Sequence, residues 1–146
     1  MSRFEEVDQG TQDMLDDLIK NDFPILLNAR IKALFNTKAK KSKGTLVFGQ
    51  MVKATPILNY LTGDDQGYNY VMFLDGNVFP AIDTEDQKRI IRHELNHINI
   101  DLDAKDPYKI VNHEVEDFHK EIEYNKEDPR WLERVSEIAS QIYSKD

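Results

Sequence analysis

The chain has 146 residues, with 19 basic and 27 acidic side chains, a formal net charge of -8 and no cysteine. That length suits one domain with one core over residues 1–146, and without cysteine there can be no disulfide and no thiolate metal site, so any metal must rest on His, Asp or Glu. The opening Met1-Ser2-Arg3-Phe4-Glu5-Glu6 turns acidic where a secretory leader needs a basic start and an apolar run, and no apolar run is long enough for a bilayer. The expectation is a cytoplasmic protein with no membrane partner, whose acidic surface repels nucleic acid over most of its area.

Residues before about Gln9 are expected to fray. From Thr11 to Lys20, Met14, Leu15, Leu18 and Ile19 mark one face of a helix that Asn21-Asp22 and Pro24 bring to an end. Ile25 to Phe35 reads as extended, with Ala29, Ile31, Ala33 and Phe35 alternating against Arg30 and Lys32. A polar connection through Lys38, Lys40, Lys41, Lys43 and Gly44 follows. Its bland reading is a solvated hairpin tip; its sharper one is contact with an acidic surface or a phosphate backbone, which makes nucleic acid a weak partner candidate. Thr45 to Val52 reads as a second strand, and Gly49 inside it marks a bulge or a close backbone approach.

Residues 56–61 could form a short helix, followed by a turn at Asp64-Asp65-Gln66-Gly67. Tyr68 to Leu74 is the third strand, its aromatic residues read as core, and Asp75-Gly76-Asn77 is the next turn. A helix from about Glu85 to Asn99 fits a capping box with Thr84 as N-cap and Gln87 reaching back. Residues 99–109 look irregular, and 108–111 briefly extended. A further helix is expected from His113, on Val115, Phe118 and Ile122, with Asn112 as N-cap. A last one starts at Pro129 with Asp128 as cap, Trp131 packed at its start, and Leu132, Val135, Ile138, Ala139 and Ile142 as its apolar face. One helix, three strands and three more helices in that order predict an α+β fold.

The chemistry concentrates in His93-Glu94-Leu95-Asn96-His97, the order H-E-x-x-H. On a helix, positions i and i+4 share a face, so two imidazoles can grip one metal ion and Glu94 can serve the attacking water as base. Ile91, Leu95 and Ile98 form an apolar stripe from which the two histidines are offset. A catalytic zinc takes three protein ligands, and the remaining histidines are His113 and His119. His113, reached by a return loop over residues 98–112, is the preferred third ligand. Glu116 is its rival, and His119 and Asp117 are further alternatives. Glu116 and Asp117 could instead orient a ligand histidine, and Asp101, Asp103 and Asp106 are loop acids with a weaker claim.

His93-Glu94-Leu95-Asn96-His97 followed by Asn112-His113-Glu114-Val115-Glu116-Asp117-Phe118 resembles the phage metallopeptidases, small zincin-like proteins of bacteriophages and their hosts. The layout is also similar to that of the SprT-like zinc metallopeptidases, where a sheet precedes the H-E-x-x-H helix and a third histidine opens the next one. The resemblance spans roughly Ile25 to Ile122 and includes Lys41-Ser42-Lys43-Gly44. It departs at Glu114, where SprT-like proteins carry glycine, and there are no zinc-ribbon cysteines. The resemblance implies a zincin-like fold, His93, His97 and His113 as zinc ligands, Glu94 as catalytic acid/base, and a protein or peptide substrate. Tyr68 and Tyr70 are considered as oxyanion partners. The competing reading is a zincin-scaffold binding protein that acts on a host protein through its acidic surface, and a weaker third is an amidase.

Overall fold

In the computed structural model, residues 3–42, 45–55, 67–111, 128 and 130–144 are described. They form an α+β architecture. A four-stranded sheet, ordered β1-β2-β6-β5, presents one face to three helices, and two small hairpins flank it. The expected helices over 56–61 and from His113 lie outside the described residues.

The N-terminal residues do not fray. Phe4–Glu6 forms β1, antiparallel to β2 (Ile31–Asn36), with Phe4 opposite Asn36. Three alternating residues are too few to signal a strand; its anchors are distant in sequence. The Phe4 and Phe73 rings meet at 5.2 Å, Glu6 pairs with Lys32, and Thr37 N–H donates to the Arg3 carbonyl at 2.8 Å. The sheet therefore has four strands, one more than the sequence suggests. Helix α1 runs Gln9–Asp22, capped by Asp8, whose carboxylate accepts from Thr11 N–H and hydroxyl.

Extended structure does not begin at Ile25. Pro24–Leu26 is a 3-10 turn closed by Leu26 N–H to Phe23 O at 2.9 Å, and Leu26 buries its side chain under the core. Proline, preset for a tight turn, overrides the alternation there. The single strand expected over 45–52 is two. β4 (Thr45–Val47) pairs with β3 (Lys40–Ser42) across residues 43–44, and β5 (Gly49–Lys53) pairs with β6 (Tyr70–Asp75). The chain changes partner at Phe48. Lys40 donates to Gln50 and so folds back on the sheet, while Lys38 and Lys41 are exposed.

β6 is an interior strand, parallel to β2 and antiparallel to β5, and Tyr70, Met72 and Leu74 line its core face; of the aromatic residues expected there only Tyr70 is in the core, Tyr68 and Phe73 being part exposed. The Asp75 turn is also as predicted: its carboxylate accepts from Asn77 N–H at 2.8 Å and Val78 N–H at 2.9 Å. Helix α2 spans Thr84–Leu95, but its N-cap is Asp83, which accepts from Asp86 N–H. Gln87 donates to Phe79 O instead of closing a capping box. The helix stops at Leu95 because the next residues enter a hairpin. β7 (Ile98–Ile100), where the end of the helix is expected, pairs with β8 (Tyr108–Ile110), which matches the short extended piece expected over 108–111.

Helix α3 (Trp131–Tyr143) buries Trp131, Val135 and Ala139, whereas Leu132, assigned above to its apolar face, is 50% exposed. Asp128 does not cap it through its side chain; that carboxylate reaches Arg134 at 2.6 Å. No described helix is long and apolar enough to cross a membrane.

Polar ties fix α2 between its neighbours. Asp86, 1% exposed, takes a two-pronged contact from Arg134 on α3 (2.8 and 2.7 Å) and a third from Arg89 at 2.7 Å. Arg92 Nε reaches Asp22 at the end of α1 at 3.2 Å. Burying charges costs desolvation, so such a cluster aligns helices more than it stabilises them, yet breaking it strands buried charge. Asp86→Ala should therefore lower stability by about 3 kcal/mol, read as a lower urea midpoint at unchanged slope.

Among the described residues, three carboxylates are held below their ordinary values: Asp8 by the Thr11 hydroxyl, Asp128 by the Arg134 guanidinium and Glu6 by Lys32. A depressed folded-state pKa contributes stability above the ordinary value, 3.8 for Asp and 4.5 for Glu, and that contribution disappears as the pH falls through the folded-state value. Thermal melting should be flat from pH 7 to 5 and fall below about pH 4. The fall should be modest, since these groups are solvent-screened.

Candidate metal centre

The site is built where α2 ends. Ile90, Ile91 and Leu95 are buried against the sheet, which fixes the helix's rotation and sets His93, Glu94 and His97 beside the β5 backbone. The first two sit in the last helical turn. His97 lies beyond the C-cap, Asn96, in a tightened turn in which His97 N–H donates to Glu94 O at 3.1 Å. The i, i+4 relation survives this tightening. The imidazole rings are 5.3 Å apart and nearly perpendicular, at 84°. One ligand atom from each of His93, Glu94 and His97 lies within 4.8 Å of the other two.

Burial and hydrogen bonds prepare these donors. Glu94 is 4% exposed, and one of its oxygens stands 3.8 Å from His97 Nε2. His97 Nδ1 is 2.6 Å from the Val111 carbonyl oxygen. A carbonyl can only accept, so Nδ1 carries the hydrogen and Nε2 keeps its lone pair facing Glu94 and His93. Val111 N–H in turn donates to His97 O at 2.6 Å, extending the β7–β8 ladder by one more rung. The donor chemistry, two imidazole nitrogens and a carboxylate with one tautomer fixed by a backbone carbonyl, fits a divalent metal of the zinc type. Glu94 is as close to the cluster as the histidines, nearer than helical spacing alone suggests.

The other residues singled out in the sequence fall differently. His113, Glu116, Asp117 and His119 lie outside the described residues. Asp101 and Asp106 accept from the backbone of Asp103 and Tyr108 and pair with Lys109 and Lys53, which accounts for them as loop-shaping acids. Tyr70 is no oxyanion partner: it is fully buried, its hydroxyl donates to Lys109 O at 3.0 Å, and burial pushes its pKa up to about 12. Tyr68 carries Arg30 over its ring at 4.8 Å. Val111 is the contributor that sequence reasoning misses, since a backbone carbonyl leaves no trace in residue type. Gly49, flagged as a close approach, makes that approach to Glu94.

A model of the family described as "Putative phage metallopeptidase", a metal-dependent peptidase by that description, matches residues 2–143. No curated protein and no solved structure matches the chain. The match covers nearly the whole sequence, including every element that positions the His93, Glu94 and His97 cluster, and the chain therefore belongs to the putative phage metallopeptidase family.

Proposed function

We propose that the protein is a zinc-dependent peptidase of zincin type, with residues 1–146 as one catalytic domain. The observation that carries this reading is the convergence of His93, Glu94 and His97 within 4.8 Å, with the His97 tautomer set by Val111. His93 and His97 hold the metal through their imidazole nitrogens, and His113 supplies the third ligand. Support for His113 is a matter of reach. Val111 is hydrogen-bonded to His97 through both its N–H and its carbonyl, and His113 stands two positions further along the sequence. Zinc in such a site polarises a peptide carbonyl and makes water a better nucleophile near neutral pH.

The chain's own part falls to Glu94. Its carboxylate takes a proton from the attacking water as the new C–O bond forms. It then delivers that proton to the amine nitrogen as the C–N bond breaks, so a peptide yields a carboxylate and an amine. Burial keeps the carboxylate from drifting into solvent.

Purified protein should carry about one zinc per chain. Glu94→Gln should fold and engage peptides, and lose about a hundred- to ten-thousand-fold in hydrolysis rate on a peptide library. Should that variant keep the full effect in a host cell, proteolysis is not how the protein acts, and binding through the acidic surface takes its place.

Ligand assignment is tested separately by zinc competition against a chromophoric chelator. His113→Ala should weaken binding strongly and His119→Ala should leave it nearly intact. If Glu116→Ala does the damage instead, the set is two histidines and a glutamate.

A further inference from the structure

We propose that Gly49 is a positioning residue for Glu94, the bare backbone of β5 being the wall against which the carboxylate is set. The catalytic consequence rests on the peptidase reading; the contact does not. A Cβ at position 49 would stand 2.9 Å from Glu94 Oε2, 3.0 Å from Cγ and 3.2 Å from Cδ. Ordinary carbon contacts lie at about 3.5–4.0 Å. The oxygen alone could swing aside. Cγ cannot do so cheaply, because its place is fixed by the first side-chain torsion of a residue that is 4% exposed.

Conformation does not require the glycine. Among the described glycines only Gly67 has a positive φ, 77°, so the backbone at position 49 accepts any L-residue. The demand is for space, and neither element can yield it. Gly49 is in register with Leu74, and the preceding Phe48 O accepts from Asp75 N–H at 2.8 Å, which pins the strand. On the helix, Ile91 and Leu95 flank Glu94 with exposures of 0% and 1%. An added methyl must therefore be absorbed by Glu94 itself, which displaces its carboxylate from His97 Nε2, now 3.8 Å away. Gly10 is a contrast: its nearest neighbour is only the tip of the exposed Asp8 carboxylate, at 3.1 Å.

The test is a double-mutant cycle on metal-free protein, followed by kinetics on zinc-loaded protein. With Glu94 present, Gly49→Ala should lower the melting temperature by about 5 °C. In the Glu94→Ala background the same change should be neutral or slightly stabilising, because alanine restricts the unfolded chain. Equal losses in both backgrounds would show that the methyl is felt elsewhere and would overturn the contact. In the zinc-loaded protein, Gly49→Ala should bind one equivalent of metal and keep KM within about twofold. Its kcat should fall about a hundredfold, the cost of a misplaced catalytic group. A parental kcat in that variant overturns the positioning role. If the parent hydrolyses no peptide, the peptidase reading fails, and the stability cycle still decides whether Gly49 sets Glu94.

Discussion

A carboxylate that is 1% exposed needs partners for its oxygens, and Asp86 in the first turn of α2 finds them in Arg89 and Arg134. With Asp128 the cluster sets two carboxylates against two guanidiniums. The pairing dictates where α3 crosses α2, since the Arg134 fork fits a carboxylate in one plane only. Lower down the same helix Arg92 meets Asp22, and at its end His97 meets Val111. The helix that carries the motif is thus held in its first turn, in its last turn and just past its end by three different parts of the chain. Its apolar side, through Ile90, Ile91 and Leu95, supplies the burial that favours docking. The polar ties supply the angle.

That division explains the site's economy. Imidazoles bind a metal well only when the ring is oriented and the correct nitrogen is free. Here the orientation of His97 comes from helix placement and from a backbone carbonyl, that of Val111. Asp101 and Asp106 of the β7–β8 loop are engaged elsewhere, with Lys109 and Lys53. Among the described residues Glu94 is left as the carboxylate of the group, with a strand backbone on one side and two histidines near it.

Much of this was readable in the residues, where the signal is local. The apolar faces of α1, α2 and α3 are periodic, and the H-E-x-x-H spacing survives even though His97 lies past the helix end, because a tightened turn preserves the face. Elements whose cause lies far off in sequence were not readable. β1 exists because Phe73, Lys32 and Thr37 receive it. Of the β7–β8 hairpin only the second strand was readable, as a short extended piece; its partner, three residues long, continues the helix's apolar pattern. Thr84 and Asp83 are both good caps, and only geometry chose the aspartate. Gly49 announced a close approach, but not that Glu94 would be the residue approached.

The hairpin also separates length from function. Its ladder, from Ile98 opposite Ile110 to Ile100 opposite Tyr108, is what places Val111 across from His97, while the tip around Leu102, Asp103 and Lys105 is exposed. Extra residues inserted at that tip extend the arm outward without changing the register at its base. The tip is therefore a port near the His93, Glu94 and His97 cluster, where a recognition peptide or a fluorescent label can be grafted without moving the hairpin's base.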